Sequence, residues 1–360
     1  MRLWQSPSQR IYKVQRVGTS ASQQIGHWIR ARAFSTALIL LLAATLASSC
    51  AAEQLFTRVH PAMGTDFTLY IYAADATAAD REAEHVFDIV DQLDALLSNY
   101  KPESELSRIN NEAANHAVTT DPETFRFLEK SLAWSAWSNG AFDITVGRLM
   151  KAWGFFRSTG HVPSEAELAR VRADTGWKHM VLDRGTRTVR FTARVELDPG
   201  GIGKGFAVDA AVKALRDDGV HAALFSAGSS TIYGLGAPPD AAGWKVRVPD
   251  PEHTGGAIST AVLRDTSLST ANCSKKHFIV RGHLYCHIMD PRTLRPVEGR
   301  LQATVIAPSA TDSDALSNAM FVLGTAGRKR LMHSLPKSDS ALVVLAGGVM
   351  EKYRWPASVK

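Results

Sequence analysis

Residues 196–211 read ELDPGGIGKGFAVDAA, and the glycines at 200, 201, 203 and 205 constrain the fold more than any other stretch. A β-like run that gives way to bare backbone and then to helix formers dictates a tight strand-to-helix turn. Backbone N–H groups without side chains around them can approach an anion, while the helix dipole and Lys204 add positive potential. The spacing is neither GxGxxG nor GxxxxGK[ST], since Gly205 follows the lysine. From the residues alone, a phosphate cradle and a plain turn with a solvated lysine stand equally open.

Elsewhere the pattern alternates between strands and helices. FTLYIYA at 67–73 is a strand by its aromatic and β-branched content. Val86, Ile89, Val90, Leu93, Leu96 and Leu97 recur at helical spacing. A polar loop, SNYKPESELSRIN, is expected next, with Glu105 and Arg108 as a surface pair; Ser107 stands where a capping box at Ser104 would need an acid or amide. A second helix is predicted over Pro122–Trp137, and Ser164 with Glu167 opens a third by a capping box. A hairpin is expected around Gly185, a helix over Phe206–Leu215, then short strands and one late helix, SDALSNAMFVL. These elements predict an α/β protein of mixed sheets with flanking helices.

With 45% hydrophobic and 21% charged residues, the chain can build a sizeable core. Its formal net charge of +6 is inflated by Arg2, Arg10, Lys13, Arg16, Arg30 and Arg32, which face no acidic residue in that segment, so nucleic-acid binding is not implied. AFSTALILLLAATLASSCAA is laid out as a secretory signal, and its apolar run is short for a membrane span. Two endings are open: LASSC as a lipobox that lipidates Cys50, with Ala47 where Leu is usual, or cleavage after Ala52. The competing reading of the same stretch is an uncleaved N-terminal anchor. Residues 1–52 are therefore read as leader and 53–360 as one domain, exported and periplasmic, with membrane association through Cys50 if it is lipidated. Cys273 and Cys286 in the body are expected as two separate buried thiols, because a chain of this size does not need a staple.

Three further constellations carry chemistry. Asp314 and Asn318, four apart on one helix face, offer a carboxylate and an amide oxygen to a hard cation such as Mg²⁺. His287 and Asp290 end a strand before a turn and are candidate base and orienter, although a lone histidine is more often structural. Met63 and Tyr100 offer an apolar contact and an aromatic face to a flat ring.

Seven blocks in order resemble the ApbE family of FAD:protein FMN transferases: MGT at Met63, SNYKPESELSRIN, NGAFDITVGRLMKAWGF, LDPGGIGKGFAVD, AGSSTIYGLG, YCHIMDPRTLRP and VIAPSATDSDALSNAMFVLG. The resemblance implies an FAD cleft between two lobes, Mg²⁺, and transfer of FMN to a Thr or Ser hydroxyl of an exported or membrane flavoprotein of electron transport, with release of AMP. It implies metal ligation by Asp314, Asn318 and the carbonyl of Gly201. It sets FAD against Met63, Tyr100, Asp198, Gly200, Gly201, Lys204, Asp209 and Thr270, with Lys204, His287 and Asp290 as the catalytic set.

This chain departs from the family at four places. Asn318 stands for Thr, and Leu294 for the Gly of DPRTG, so that turn is expected to avoid positive φ. Gly228-Ser229-Ser230 and Thr270-Ala271-Asn272 replace GG[DES] and TSG or TSS. Two alternatives use the same residues: an Mg²⁺-dependent FAD pyrophosphatase, and an FAD-binding lipoprotein without turnover.

Overall fold

The computed structural model describes residues 53–274 and 276–356; the leader, Cys50 included, lies outside them. Eight strands form the main sheet: Gln54–Ala62, Thr65–Ala73, Ala222–Ala227, Thr231–Gly236, Thr266–Asn272, Arg300–Ala307, Ser340–Leu345 and Met350–Tyr353. They lie side by side in chain order, and every neighbouring pair is antiparallel. Period-two alternation sorts the second strand: Phe67, Leu69 and Ile71 point into the main core, while Tyr70 and Tyr72 face the opposite side.

The main core lies between that sheet and three helices, Ala76–Leu97, Gly203–Asp217 and Ala310–Val322. The first is capped by Asp75, which accepts from the Ala78 N–H at 2.8 Å, and it buries Val86, Val90, Leu93 and Leu97. Ala310–Val322 is buried on nearly all sides, so it carries no polar stripe. The opposite sheet face is covered by a hairpin, Trp244–Pro249 with Ala257–Leu263.

A separate apolar cluster of Leu149, Met150, Trp153, Phe155, Leu168, Met289 and Leu294 is the core of a smaller assembly. It gathers the helices Gly147–Ala152 and Glu165–Ala173 and the hairpin His277–Val280 with His283–Cys286, whose Phe278 and Tyr285 pack against it. Met180–Asp183 and Thr188–Phe191 form the hairpin expected around Gly185, Val118–Thr119 adds a third strand, and their buried side chains join the main core.

Four expectations are corrected. Cys273 and Cys286 form a disulfide with Cα atoms 5.3 Å apart, because the hairpin returns Cys286 opposite His277, just after Cys273 in the chain. Leu294 takes positive φ, 62°, although it is not glycine. Its N–H donates to the Asp290 carbonyl at 2.8 Å, the Trp153 indole donates to its carbonyl at 3.0 Å, and its side chain is buried, which together offset about 1 kcal/mol of left-handed strain. The polar loop contains a helix, Glu105–Glu112, whose Ser104 cap works alone by accepting from the Ser107 N–H. A second late helix, Thr325–Ser334, follows the first.

Candidate active site

The glycine stretch begins with Asp198, whose side chain accepts from the Gly200 N–H at 2.9 Å and fixes a single 3₁₀ turn, Pro199–Gly201. Ile202, fully buried, anchors the turn, and the helix starts at Gly203. The glycines serve different ends. A Cβ on Gly205 would lie 2.3 Å from the Ala310 carbonyl oxygen, so this residue lets two helix backbones touch. A Cβ on Gly201 would press on Phe142 and the Asn318 amide at 3.3–3.4 Å.

Helix contact brings the acidic residue to the turn. The Gly205 N–H donates to Asp314 Oδ2 at 3.0 Å. Burial pushes the Asp314 carboxyl pKa up, against the pull of the Lys204 charge and that N–H. The Asn318 Nδ2 donates to the Gly201 carbonyl at 3.2 Å and to the Asp314 carbonyl at 3.1 Å. Asp209 does not line this cavity. Its carboxylate accepts from the N–H groups of Ala310 and Thr311 and the hydroxyls of Ser309 and Thr311 at 2.6–2.9 Å, capping the acidic helix and setting its position.

One cavity of about 810 Å³ is lined by Met63, Tyr100, Asp198, Gly200, Gly201, Lys204, Thr270, His287, Asp314 and Asn318. Met63 and Gly64 form the two-residue turn between the first two strands, both at positive φ (49° and 70°), the signature of a type I′ hairpin. Tyr100 stacks on Phe156, ring centroids 4.5 Å apart and planes 7° off parallel. Lys151 sits 4.8 Å from the Phe156 centroid and pairs with Glu196. Thr270 shares a 3.1 Å hydroxyl hydrogen bond with Thr304.

His287 faces the Lys276 carbonyl, 2.8 Å from Nδ1. A carbonyl only accepts, so Nδ1 carries the proton and Nε2 keeps its lone pair. Burial, then the Lys276 charge and, more weakly, that of Lys204, lower the His287 pKa to about 4, against the partial support of the Lys276 carbonyl. Asp290 does not orient it and does not line the cavity: its two oxygens accept from Arg292 Nε and a terminal guanidinium N–H, each at 2.8 Å. This pair closes the turn that Leu294 completes.

Three residues escaped the sequence reading. Phe156 carried a signal, the doubled aromatic after WG. Asp143, buried in the cavity wall, accepts from Thr145 N–H, Thr145 hydroxyl and Trp177 N–H at 2.7–2.8 Å, and burial raises its pKa. Nothing in its spacing marked it. Lys276 lines the cavity, and nothing in its spacing set it apart.

Comparison with known proteins identifies the family. The ApbE family matches residues 63–343. The FAD:protein FMN transferase of Salmonella typhimurium is 30% identical over 305 residues, 80% of this chain and 86% of that one. The ApbE protein of Thermotoga maritima superposes with a TM-score of 0.76 at 30% identity, covering 83% of this chain and 97% of that one. The apo form of Pseudomonas stutzeri flavinyl transferase ApbE gives 0.75 at 27% identity, over 84% and 96%. Most of the described sequence and all of its cavity-forming blocks thus fall within one family match, and the chain belongs to the ApbE family.

Proposed function

We propose that this protein is an FAD:protein FMN transferase that joins FMN, through a phosphoester, to a Thr or Ser hydroxyl of an acceptor flavoprotein and releases AMP. The observation that carries the reading is a single cavity in which Lys204 and the glycine turn lie with a histidine whose Nε2 has no hydrogen-bond partner among the described residues. The acceptor oxygen would attack the FMN phosphorus as the bridging P–O bond breaks. Its proton passes to His287 Nε2, and AMP leaves with the bonding pair. Lys204 and aimed N–H groups offset the phosphate charge. Met63 and Tyr100 hold the flavin ring, and Thr270 lies towards the adenosine end.

The residues fit a divalent cation of the Mg²⁺ type. Asp314 is a buried carboxylate that no Lys or Arg pairs among the described residues, and Gly201 adds a hard carbonyl oxygen. Asn318 presents its NH₂ to that carbonyl, so its amide must turn before its oxygen can join them. When bound, the cation supplies charge neutralisation at the pyrophosphate.

The leader and the disulfide support an oxidising, exported setting, with residues 1–52 removed or lipidated at Cys50 and 53–360 as the transferase domain. Incubation with FAD, Mg²⁺ and an acceptor domain tests the reaction. A fluorescent flavin band that survives a denaturing gel supports transfer, whereas free FMN and AMP without such a band mean hydrolysis.

A further inference from the structure

The hairpin that leads into His287 stands where two cores meet. Its Phe278 and Tyr285 pack on the smaller assembly, whereas Cys286, 2% exposed, belongs to the main core and Cys273 packs against that core. Cys273 directly follows the strand Thr266–Asn272, whose last three residues, Thr270, Ala271 and Asn272, line the cavity. Lys276 and His287, which flank the hairpin, line it too. The Cys273–Cys286 disulfide is therefore a covalent tie between the end of a main-sheet strand and the wall that carries the histidine.

That tie sits beside the contacts that orient the imidazole. The ladder of the hairpin ends at the pair His277 and Cys286. Among the described residues, the hydrogen bonds that hold His287 go to one acceptor, the Lys276 carbonyl, which takes its backbone N–H at 3.2 Å and its Nδ1–H at 2.8 Å. That carbonyl lies in the short connection between strand and hairpin. Two bonds at the bridged residues brace it: His277 Nδ1 bonds the Cys273 carbonyl at 2.9 Å, and the Ile288 N–H donates to the Cys286 sulfur at 3.3 Å. Hydrogen bonds of about 1 kcal/mol each do not alone hold a connection in one place. A covalent closure does, and it fixes the carbonyl that sets the tautomer of His287.

Resting on the transferase reading, we propose that Cys273 and Cys286 are positioning residues: their disulfide aims His287 Nε2 at the incoming hydroxyl, and its reduction by a dithiol turns transfer down. Cys286 is buried and Cys273 only partly, so a thiolate of the reductant attacks the Cys273 sulfur, the S–S bond breaks, and Cys286 leaves as a thiolate and takes up a proton. The second thiol of the reductant then displaces Cys273 from the mixed disulfide. Two thiols remain in the protein, and the dithiol has become a disulfide. Misplacing a catalytic group by about 1 Å costs on the order of 100-fold in rate.

Transfer to a cysteine-free acceptor domain, measured with the full chain and saturating FAD before and after reduction by a soluble dithiol, tests this. The assay temperature is set below the unfolding midpoint of every reduced form. Parent kcat is expected to fall at least about tenfold on reduction and to return on reoxidation, while the FAD Kd stays within about threefold. In His287→Gln, whose residual rate no longer uses the imidazole, reduction should change kcat by less than about twofold, since two changes that act through one group are not additive. Cys273→Ser/Cys286→Ser should match the reduced parent and ignore the dithiol. A kcat that survives reduction, a loss carried by the FAD Kd instead, or an equal fall in the parent and in His287→Gln overturns the assignment. An oxidised parent that leaves no flavin band on a denaturing gel removes the transferase reading itself, a distinct result from a parent that transfers equally well in both states.

Discussion

The side-chain amide of Asn318 donates to the carbonyl of Gly201 at 3.2 Å, tying the acidic helix to the glycine turn at the proposed cation site. The same nitrogen bonds the Asp314 carbonyl. Two carbonyls facing one amide fix its orientation, because an oxygen in that place would meet only acceptors. Loading a cation means giving up these hydrogen bonds, each worth about 1 kcal/mol net. Asn318→Thr is therefore expected to bind Mg²⁺ about tenfold more tightly by calorimetry. Equal affinity in the two proteins would show that the amide does not compete.

His287→Gln is expected to lower kcat for transfer by about 100-fold or more, the usual contribution of a general base. A second readout is stability. The native imidazole protonates only near pH 4, against an ordinary 6.5, so between these values the unfolded chain binds the extra proton. The stability gained by keeping this histidine neutral is complete above about 6.5 and falls as pH drops towards 4, by about 3 kcal/mol in all. Denaturant unfolding of the flavin-free protein at pH 7.5 and 4.5 should show a steeper loss for the parent than for the variant. Parallel losses would count against a buried, neutral His287.

Gly205→Ala tests the helix crossing. A methyl group 2.3 Å from the Ala310 oxygen meets backbone and cannot be relieved by a rotamer change. A loss of about 3 kcal/mol or more in unfolding free energy is expected, with a weaker Mg²⁺ response as Asp314 moves away. A loss under about 1 kcal/mol would mean that the helices part easily.

Phe156→Ala removes the ring that backs Tyr100. Offset or parallel aromatic contacts contribute about 0.5–1.5 kcal/mol, so the FAD Kd, read by flavin fluorescence, should rise about three- to tenfold. With FAD saturating, kcat should stay within about twofold. A fall in kcat without a change in Kd would give Phe156 a different task.

Reduction of the disulfide should destabilise the protein by about 3 kcal/mol, the chain-entropy value for a loop of this size. Calorimetric scans with and without a phosphine reductant, beside Cys273→Ser/Cys286→Ser, provide the check: the parent should fall on reduction, and the double variant should not respond. Two free thiols in the untreated parent would restore the sequence expectation.

Sequence legibility followed the locality of each signal. Pro122–Trp137 was readable to the residue, because a proline follows the capping Asp121 and apolar periodicity runs to its end. Glu105–Glu112 was not, since its single cap lacks the reciprocal acid that marks a helix start. Thr325–Ser334 is a polar surface helix with little periodicity to find. Leu294 and the disulfide depend on which segments fold back on one another, and no local rule contains that. In the site, residue types pointed to Asp314, Lys204 and His287. The true tasks of Asp209, a helix cap, and Asp290, an arginine partner, became visible only once their partners had been brought across the fold.

The main sheet lays its strands down in chain order, so the segment between Ala73 and Ala222 leaves and re-enters at adjacent strands. Tyr100, Phe156, Asp198, Gly201 and Lys204 all travel within that one excursion, while Thr270, Lys276, His287 and Asp314 arrive later. Two separately encoded segments thus meet at one cavity on a common frame. Swapping the earlier segment between relatives would leave every ladder of the main sheet unbroken, so one wall of the cavity can diverge while the other is inherited intact.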